Sequence, residues 1–289
     1  MTTLTAGSGS DSGRSRPAAR RPVIVIGLAA AVLLLAAAGP ELVANDPLAQ
    51  SLELRNAGPS AAHPLGVDPL GRDMAARLAA GTRLSLAIAL AGSAVALLLG
   101  AGVGLVAAVA GGWLRSVLMG LVDLVRTMPG VLLALVLMVA LGNGAAPVIL
   151  ALGLAFAPIF ALVAAATYRR EMAAGYVQAA LVLGSGRFAL LRRHVLPNIV
   201  GALVTQAALV VPRAITTESV LSFLGLGVAP ETPTWGRMIA DGVPYIETAP
   251  HAALVPMMAL SLVTVVCVLA GDRLRATLDP LRDTGTPRP

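Results

Sequence analysis

The chain has 289 residues, of which 57% are hydrophobic and 12% are charged, and its formal net charge is +6. A soluble domain carries about a quarter charged residues, so the composition excludes one. Only helices and closed barrels satisfy their backbone polar groups in lipid. The alternating pattern of barrel strands is absent, which leaves an all-α polytopic membrane protein. The single cysteine, Cys267, excludes a disulfide framework and is interpreted as a packing residue in an apolar run.

Six apolar runs are long enough to cross a hydrocarbon core of about 30 Å as helices. They are predicted at 22–43, 83–110, 117–141, 146–168, 199–220 and 251–271. The first run is interpreted as an uncleaved anchor rather than a signal peptide, because its apolar core is long and more spans follow. The chain is thus divided into five parts. A disordered cytosolic tail (1–21) is followed by a transmembrane anchor helix (22–44) and by an extracytoplasmic segment with an interfacial helix (45–82). A transmembrane domain (83–272), which contains a cytosolic loop at 169–198, and a cytosolic tail (273–289) complete the chain.

Arginine is concentrated in both tails and in the 169–198 loop, and the chain contains no lysine. The 45–80 and 221–250 segments balance arginine against aspartate and glutamate. By the positive-inside rule, six crossings with both termini in the cytosol satisfy this distribution. The net charge therefore indicates topology rather than nucleic-acid binding.

The two outer segments are polar and short. Residues 63–81 are predicted to form a turn and an interfacial helix, in which Asp73 and Arg77 make an i,i+4 surface pair. Residues 222–242 are rich in Gly and Pro and are predicted to form a compact cap with a short helical piece. In the second span, the sequence GAGVG indicates close helix–helix approach. It is not a dinucleotide loop, which requires a preceding strand.

A polar segment with the sequence YVQAALVLGSGRFALLRRHVLP, residues 176–197, separates the fourth and fifth spans. Residues 172–183 are predicted to form a short helix, with Gly184 as its left-handed stop and Ser185 as the cap of a second helix. The second helix runs to about Leu196, and Pro197 enters the fifth span. Ala179 and Ala180 give the first helix a slim face that suits another protein's groove. Spacing alone leaves open that the segment is an ordinary connecting loop.

These residues resemble the cytosolic loop signature of bacterial ABC-importer permeases: E-A-A, three residues, G, nine residues, I-x-L-P. The matching positions are Gln178, Ala179, Ala180, Gly184, Leu196 and Pro197. Gln178 stands in place of the usual acid and His194 in place of the usual apolar residue, and permeases vary at both positions. In that family this loop is the coupling helix, which docks in a groove of the ATPase subunit.

The resemblance extends over roughly 60–283 and narrows the family. Three further stretches resemble the second, C-type permease subunit of dipeptide, oligopeptide and nickel importers: HPLGVDPLGRDMAARLAAGTRLSL, ESVLSFLGLGVAPETPTWGRMIADG and GDRLRATLDP. The resemblance implies the type I ABC-importer (MetI-like) permease fold with six transmembrane helices, in a bacterial cytoplasmic membrane. It also implies a homologous second permease, two ATPase subunits and an extracytoplasmic substrate-binding protein as partners.

No GxxxxGK[ST] loop and no nucleophile–base constellation occur in the sequence, so the chain is predicted to be non-catalytic and to bind no cofactor or metal. ATP and Mg²⁺ are expected on the partner ATPases. The resemblance assigns ATPase coupling to Tyr176, Gln178, Ala179, Ala180, Gly184, Ser185, Arg187, Leu196 and Pro197. Docking of the binding protein is expected at the outer segments, around Asp68, Arg72, Asp73, Glu231, Trp235 and Asp241.

The residues of the translocation path are predicted from polar and helix-breaking positions inside the spans. Met128 and Pro129 loosen the third span as a hinge or a packing kink. Arg213 and Glu218 lie deep in the fifth span, and ionisable groups there usually face a bundle interior or a cavity. Five residues apart, they point about 140° from each other, so they do not pair within the helix. Glu218 is a candidate gate, partner contact or cavity ligand.

Three functions are compatible with these patterns. A peptide-importer permease is the leading interpretation, and a permease for nickel or another small solute shares its motifs. The absence of a His or Met cluster in the predicted spans favours peptides. A stand-alone secondary transporter gives the 176–197 segment no purpose.

Overall fold

The computed structural model describes residues 38–39, 41, 43, 45–184, 186 and 190–278, and only the backbone of His194. The principal elements of this part are helices, in the order α1 Met74–Ala110, α2 Gly112–Thr127, α3 Gly130–Leu141, α4 Ala145–Met172, α5 Gly175–Val182, α6 Leu196–Phe223, α7 Trp235–Gly242 and α8 Pro250–Leu278. Short 3₁₀ turns lie at Leu52–Leu54 and Val243–Tyr245, and a π-helical turn, Leu191–Val195, precedes α6.

Four of these helices, α1, α4, α6 and α8, are long and apolar enough to cross a membrane. The α2–α3 pair is a fifth candidate if the bent pair forms one span. Five of the six predicted spans therefore correspond to helices in the structure. The predicted anchor at 22–43 lies outside the described residues except at 38, 39, 41 and 43, as do the predicted tails at 1–21 and, beyond 278, the end of the chain.

The first described span begins earlier than predicted. The interfacial helix expected within 63–81 and the span expected from residue 83 are one continuous helix, α1, of 37 residues. Asp73 caps its N-terminus by accepting a hydrogen bond from the Ala76 N–H at 2.7 Å. The residues between the cap and the apolar run are mainly Ala, Leu and Arg, which are strong helix formers, so nothing ends the helix at the membrane surface.

The predicted third span, 117–141, is broken into two helices. The axes of α2 and α3 meet at 96°. Met128 adopts an extended conformation with ψ 134° because the residue before a proline is excluded from the helical region, and Pro129 then starts α3. The sequence prediction of a loosened helix at this point is confirmed, but the change of direction is larger than a kink.

The longest helix pairing is that of α1 with α4, and it is built on small residues. A Cβ atom at Gly100 would collide with the Ala157 carbonyl oxygen, and one at Gly104 with that of Ala161. The predicted close approach is thus confirmed at these two glycines. Gly102, on the other side of the helix, has open space around its Cα. The core lies where α1, α4 and α6 meet, and its larger members are Leu86, Ile88, Leu152, Phe156, Phe160, Ile199 and Ile215.

Candidate functional site

The segment between α4 and α6 contains the short helix predicted there. Helix α5 covers Gly175–Val182, against a predicted 172–183, because a turn at Ala173 and Ala174 separates it from α4. Gly184 has φ +85°, which confirms the predicted left-handed stop. Ser185 and Arg187 lie outside the described residues.

The predicted second helix of this segment does not end near Leu196. The π-helical turn Leu191–Val195 runs directly into α6, whose first residue is Leu196. Pro197, the second residue of α6, has no N–H and therefore donates no hydrogen bond back to this turn. The side chains of Leu196 and Pro197 are exposed.

A single carboxylate joins α5 to both neighbouring helices. Glu171, at the end of α4, accepts a hydrogen bond from the Tyr176 hydroxyl at 2.8 Å and another from the Asn198 amide at 2.8 Å. The Asn198 amide also lies 3.3 Å from the Tyr176 hydroxyl. The two hydrogen bonds to Glu171 are stronger than bonds between neutral groups because their acceptor is an ionised carboxylate. Hydrogen bonding to Glu171 raises the pKa of the Tyr176 phenol above its usual value, so that it remains the donor.

The sequence analysis included Tyr176 but missed Glu171 and Asn198. One signal could have identified Glu171, since it is the only acidic residue between 169 and 198. A lone acid in an arginine-rich loop, close to a tyrosine, is a candidate for a specific contact. Asn198 carries no comparable signal in the sequence.

The outer surface of α5 and its C-terminal end is uncovered. Ala179 is exposed, Ala180 is half-buried, and Val182 and Leu183 are 87% and 86% exposed. The Gln178 amide turns back and donates to the Met172 carbonyl at 2.6 Å, which ties this side chain to the end of α4. On the opposite side, Val177 is fully buried. Helix α5 is therefore anchored on one face and presents small and apolar residues on the other.

Two parts of the predicted path come together in a hollow of about 440 Å³. Gly130, directly after the Met128–Pro129 break, lines this hollow together with Arg213, Thr216 and Thr264. The exposed Arg213 side chain has no ion pair among the described residues. Its Cα lies about 5 Å from the midpoint of α6, given a rise of 1.5 Å per residue.

Glu218 lies elsewhere. Its side chain is fully buried and accepts a hydrogen bond from the Ser222 hydroxyl at 2.7 Å. The Ser219 hydroxyl is 3.4 Å away. The expectation that Glu218 and Arg213 do not pair within the helix agrees with these positions, because one side chain is buried and the other exposed.

The two predicted outer segments form one unit, here called the outer cap and defined as residues 45–77 and 225–251. Five charged side chains cluster at its centre: Asp68, Arg72, Arg77, Arg237 and Asp241. Arg72 donates through Nε to Asp68 Oδ2 at 2.5 Å and through Nη2 to Asp241 Oδ2 at 3.0 Å. Arg77 Nε lies 3.4 Å from Asp68 Oδ2, and Arg237 Nε lies 3.1 Å from Asp241 Oδ1.

Trp235 attaches the cap to the first span. This fully buried residue donates from Nε1 to the Thr82 hydroxyl at 3.1 Å, and its backbone N–H donates to the Ser85 hydroxyl at 3.3 Å. Tyr245 adds a contact nearer the surface, where its hydroxyl accepts from Arg55 at 2.9 Å.

The predicted surface pair of Asp73 with Arg77 is wrong. Arg77 is buried and its charge is met by Asp68 and Asp241, while Asp73 contacts His63 Nδ1 at 2.6 Å and the Asn45 amide at 3.0 Å. Burial opposes ionisation of Asp73, but the hydrogen bonds from Ala76, His63 and Asn45 outweigh it, so the pKa of this carboxyl is lowered. The two residues do lie four positions apart on one helix, but each side chain bonds to residues from other parts of the fold instead of to the other.

The six residues predicted around the docking region differ in accessibility. Asp68, Arg72, Asp73 and Trp235 are buried inside the chain, and Asp241 is 16% exposed. Glu231 is exposed. The buried side chains shape the outer cap, so a partner reaching its surface would meet Glu231 and the exposed residues around it.

Comparisons with known proteins agree with this architecture. Residues 100–283 match the family described as binding-protein-dependent transport system inner membrane component. The glutathione transport system permease protein GsiD of Pectobacterium atrosepticum is 36% identical over 225 residues, which cover 78% of this chain and 75% of that protein. The dipeptide transport system permease protein DppC of Bacillus subtilis is 34% identical over 250 residues, which cover 86% and 78%.

Among solved structures, the chain resembles an inward-facing form of the MetNI methionine ABC transporter. The TM-score is 0.58 at 18% sequence identity, and the match covers 70% of this chain and 96% of that chain. At this identity the likeness concerns the fold, which is the type I importer permease fold that the sequence motifs implied. The family match spans most of the helical domain and two relatives exceed 30% identity, so the chain belongs to the binding-protein-dependent transport system inner membrane components and is a permease subunit of an ABC importer.

Proposed function

We propose that this chain is one of two homologous permeases that enclose the translocation path of a peptide importer. Two ATPase subunits would bind ATP and Mg²⁺ and drive the cycle, and an extracytoplasmic binding protein would deliver the substrate. Relatives named for dipeptide and glutathione transport support a peptide as cargo. A permease for nickel or another small solute is the alternative, and uptake measured with each class of substrate distinguishes the two.

The observation that carries the coupling proposal is the anchorage of α5. Because Glu171 binds both Tyr176 of α5 and Asn198 of α6, a displacement of α5 acts on α4 and α6 together. The exposed Ala179, Val182 and Leu183 supply a surface for a groove in the ATPase. ATP-driven movement of that groove would then rock two spans of the permease as a unit.

The path itself is proposed along the face that carries Arg213. An arginine near the middle of a span is costly in lipid, at about 2.5–3.5 kcal/mol on insertion scales, and therefore usually faces a cavity or a partner. The hollow beside Gly130 places this charge next to the Met128–Pro129 break. A change in the α2–α3 angle would thus alter the space around Arg213. Glu218 is buried and accepts a hydrogen bond from Ser222, so it is proposed to stabilise the C-terminal half of α6 rather than to line the path.

The proposed topology places both termini in the cytosol and the outer cap outside the membrane. Reporter fusions after residues 55, 112, 144, 185, 240 and 285 should report outside, inside, outside, inside, outside and inside. A cytosolic signal at residue 240 would overturn the orientation.

The coupling proposal is tested by two substitutions in the cytosolic segment. Ala180→Arg adds a long charged side chain at a half-buried position next to the exposed Ala179, where the groove of the ATPase would meet α5. Gly184→Val places a β-branched residue at a φ of +85°, which such residues rarely adopt. Both variants should insert and assemble, but peptide uptake by the reconstituted complex should collapse, and ATP hydrolysis should lose its stimulation by the loaded binding protein or fall with loss of docking.

Gly184→Asn is the matched control, because asparagine tolerates the left-handed region and no atom of the described residues lies within 4 Å of a Cβ at this position. It should retain most of the uptake, as should deletion of residues 2–13. Normal transport by an assembled complex that carries Ala180→Arg would show that the segment is only a connecting loop.

A further inference from the structure

A cavity of about 390 Å³ lies between α1, α2 and α4 at the end of the bundle where α1 passes into α2. Its polar lining comes from Arg115, Ser116 and Arg169, and its apolar lining includes Ala107, Met119 and Ala165. None of the described residues that line it is acidic. We call it the anion cavity, because two guanidinium groups give it a positive charge.

Neither arginine of the anion cavity is in an ion pair within the described part of the chain. Arg169 donates from Nε to the Ala165 carbonyl at 3.2 Å, which leaves its terminal nitrogens for another acceptor. Arg170, the neighbour of Arg169, faces Glu171 instead, at 3.2 Å. The two unpaired cations therefore share one concave site.

An apolar groove of about 260 Å³ lies between the same three helices, about one helical turn deeper in the bundle. Val103 of α1 precedes Ala107 by four residues, Leu118 and Leu121 of α2 flank Met119, and Ala161 of α4 precedes Ala165 by four. The lining that the described part of the chain provides contains no charged side chain. Together the two spaces run from a cationic end to a purely apolar end along one seam.

We infer that the anion cavity and the apolar groove together bind one anionic phospholipid, with the headgroup phosphate on Arg115 and Arg169 and an acyl chain in the groove. Basic pockets between transmembrane helices on the cytoplasmic side suit such headgroups. Trp113, next to Gly112 of the cavity, is 76% exposed, and tryptophan side chains are enriched at membrane interfaces. The assignment to the cytoplasmic leaflet rests on the proposed topology, but the binding site itself does not.

The consequence for the molecule lies in α2. This helix packs against α1 and α4 and forms the first half of the 96° break. A lipid seated between the three helices would fill the space behind α2 and hold it against α1 and α4. Anionic lipid would then stabilise one angle between α2 and α3.

The inference is tested on the complete complex, with its sister permease and ATPases, titrated in detergent with phosphatidylglycerol and analysed by native mass spectrometry. The wild-type complex should retain one phosphatidylglycerol per copy of this chain more tightly than phosphatidylcholine. The double variant Arg115→Gln/Arg169→Gln should bind it about 30-fold more weakly, on the scale of about fivefold for each basic charge near a lipid headgroup. Arg126→Gln, on the same helix but outside the cavity, should bind as the wild type does.

A second variant separates a lipid from a free anion. Val103→Phe fills the apolar groove and leaves both arginines in place, so it should lose phosphatidylglycerol to a similar extent. Displacement of the lipid by millimolar inorganic phosphate, with unchanged binding in Val103→Phe, would instead show a site for free anions. Equal lipid retention by wild type and the double variant would show that Arg115 and Arg169 do not hold the headgroup. Either result overturns the inference without touching the proposed transport function, and a thermal melt of each variant confirms that it is folded.

Discussion

At the scale of single residues, Glu171 is the contact on which the cytosolic segment depends. Glu171 belongs to α4, and its carboxylate accepts hydrogen bonds from Tyr176 of α5 and Asn198 of α6. It therefore connects three helices, which an ordinary surface ion pair does not do. The neighbouring Arg170 lies 3.2 Å from the other oxygen but is 74% exposed, so solvent screens its contribution. The geometry of α5 relative to the spans therefore depends mainly on the two neutral donors.

Tyr176→Phe removes one of these donors without changing the shape of the ring. A hydrogen bond to a charged group contributes about 1.5–3 kcal/mol when buried, and this half-exposed contact should contribute about 1 kcal/mol. We expect a several-fold loss of uptake and of ATP hydrolysis stimulated by the binding protein, with normal assembly. Tyr168→Phe, in the last turns of α4, is the control and should be close to wild type. Equal uptake and equal ATP hydrolysis by the two variants would show that the Glu171 contact has no part in coupling.

Asp73 gives the outer cap a dependence on pH. Its pKa is lowered in the folded chain, so its contribution to stability is complete above the unfolded value of about 3.9 and is lost as the pH falls through the lower folded value. Asp73→Asn keeps a good helix cap but loses the charge that faces His63. Melting curves should show a lower Tm for the variant at pH 7, and the difference should shrink below about pH 4. A difference that is constant across this range would contradict the assignment.

At the scale of elements, the α1–α4 pairing shows what composition alone hides. Both helices are rich in Ala and Gly on all sides, so their sequences do not distinguish one face from another. Only one face of α1, however, contacts the backbone of α4. Without a hydrophobic drive between helices in lipid, this close approach is a main source of their association. Substitutions along α1 should therefore differ sharply with the face they occupy.

Gly100→Val is the test of that difference. Its side chain would meet the Ala157 carbonyl, and overpacking of this kind costs about 1–3 kcal/mol. We expect a reduced yield of assembled complex and a lower Tm. Gly102→Val carries the same change two residues away, where no atom lies within 4 Å of a Cβ, and should assemble normally. Comparable damage from both would mean that helix propensity, rather than packing, sets the outcome.

The local features of these elements were readable from the sequence because each depends on one or two residues. Pro129 predicts a break, Gly184 predicts a left-handed stop, and the glycines of α1 predict close packing. The extent of the break was not readable, because the angle depends on what packs beside α3. The continuity of α1 through residue 82 was also missed, since a polar first turn resembles a separate interfacial helix.

At the scale of the whole molecule, the charged centre of the outer cap joins parts of the chain that are far apart in sequence. Arg72 and Asp241 are separated by 169 positions. Two polar segments with balanced charges allow many pairings, and the sequence gives no basis for choosing among them. The buried pairing also explains why most of the predicted docking residues are inaccessible: their charges are used within the chain.

Asp241→Asn should therefore damage the cap more than its partial exposure suggests. It leaves Arg72 and Arg77 with Asp68 as their remaining carboxylate, and Arg77 Nη2 is already buried without a hydrogen-bond partner among the described residues. Breaking a fully buried pair costs about 3–5 kcal/mol, so about 2–3 kcal/mol is expected here. The measurement is the thermal stability of the purified complex.

Glu231→Gln, an exposed change of the same kind in the same cap, is the control and should leave the Tm unchanged. It should instead weaken binding-protein docking if the cap surface receives that partner, which a pull-down with the loaded binding protein would measure. A stable Asp241→Asn complex would show that the cluster contributes little to folding.

The separation of these partners also sets an order of events during synthesis. The ribosome adds roughly 5–20 residues per second, so Asp241 follows Arg72 by on the order of 10 to 30 s. During that interval Arg72 and Arg77 are already made and share Asp68 alone. The cap can close only after α6 and α7 have been made. A chain that stalls before α7 would therefore present Arg72 and Arg77 without the Asp241 carboxylate, and this excess positive charge would distinguish an unfinished subunit from a finished one.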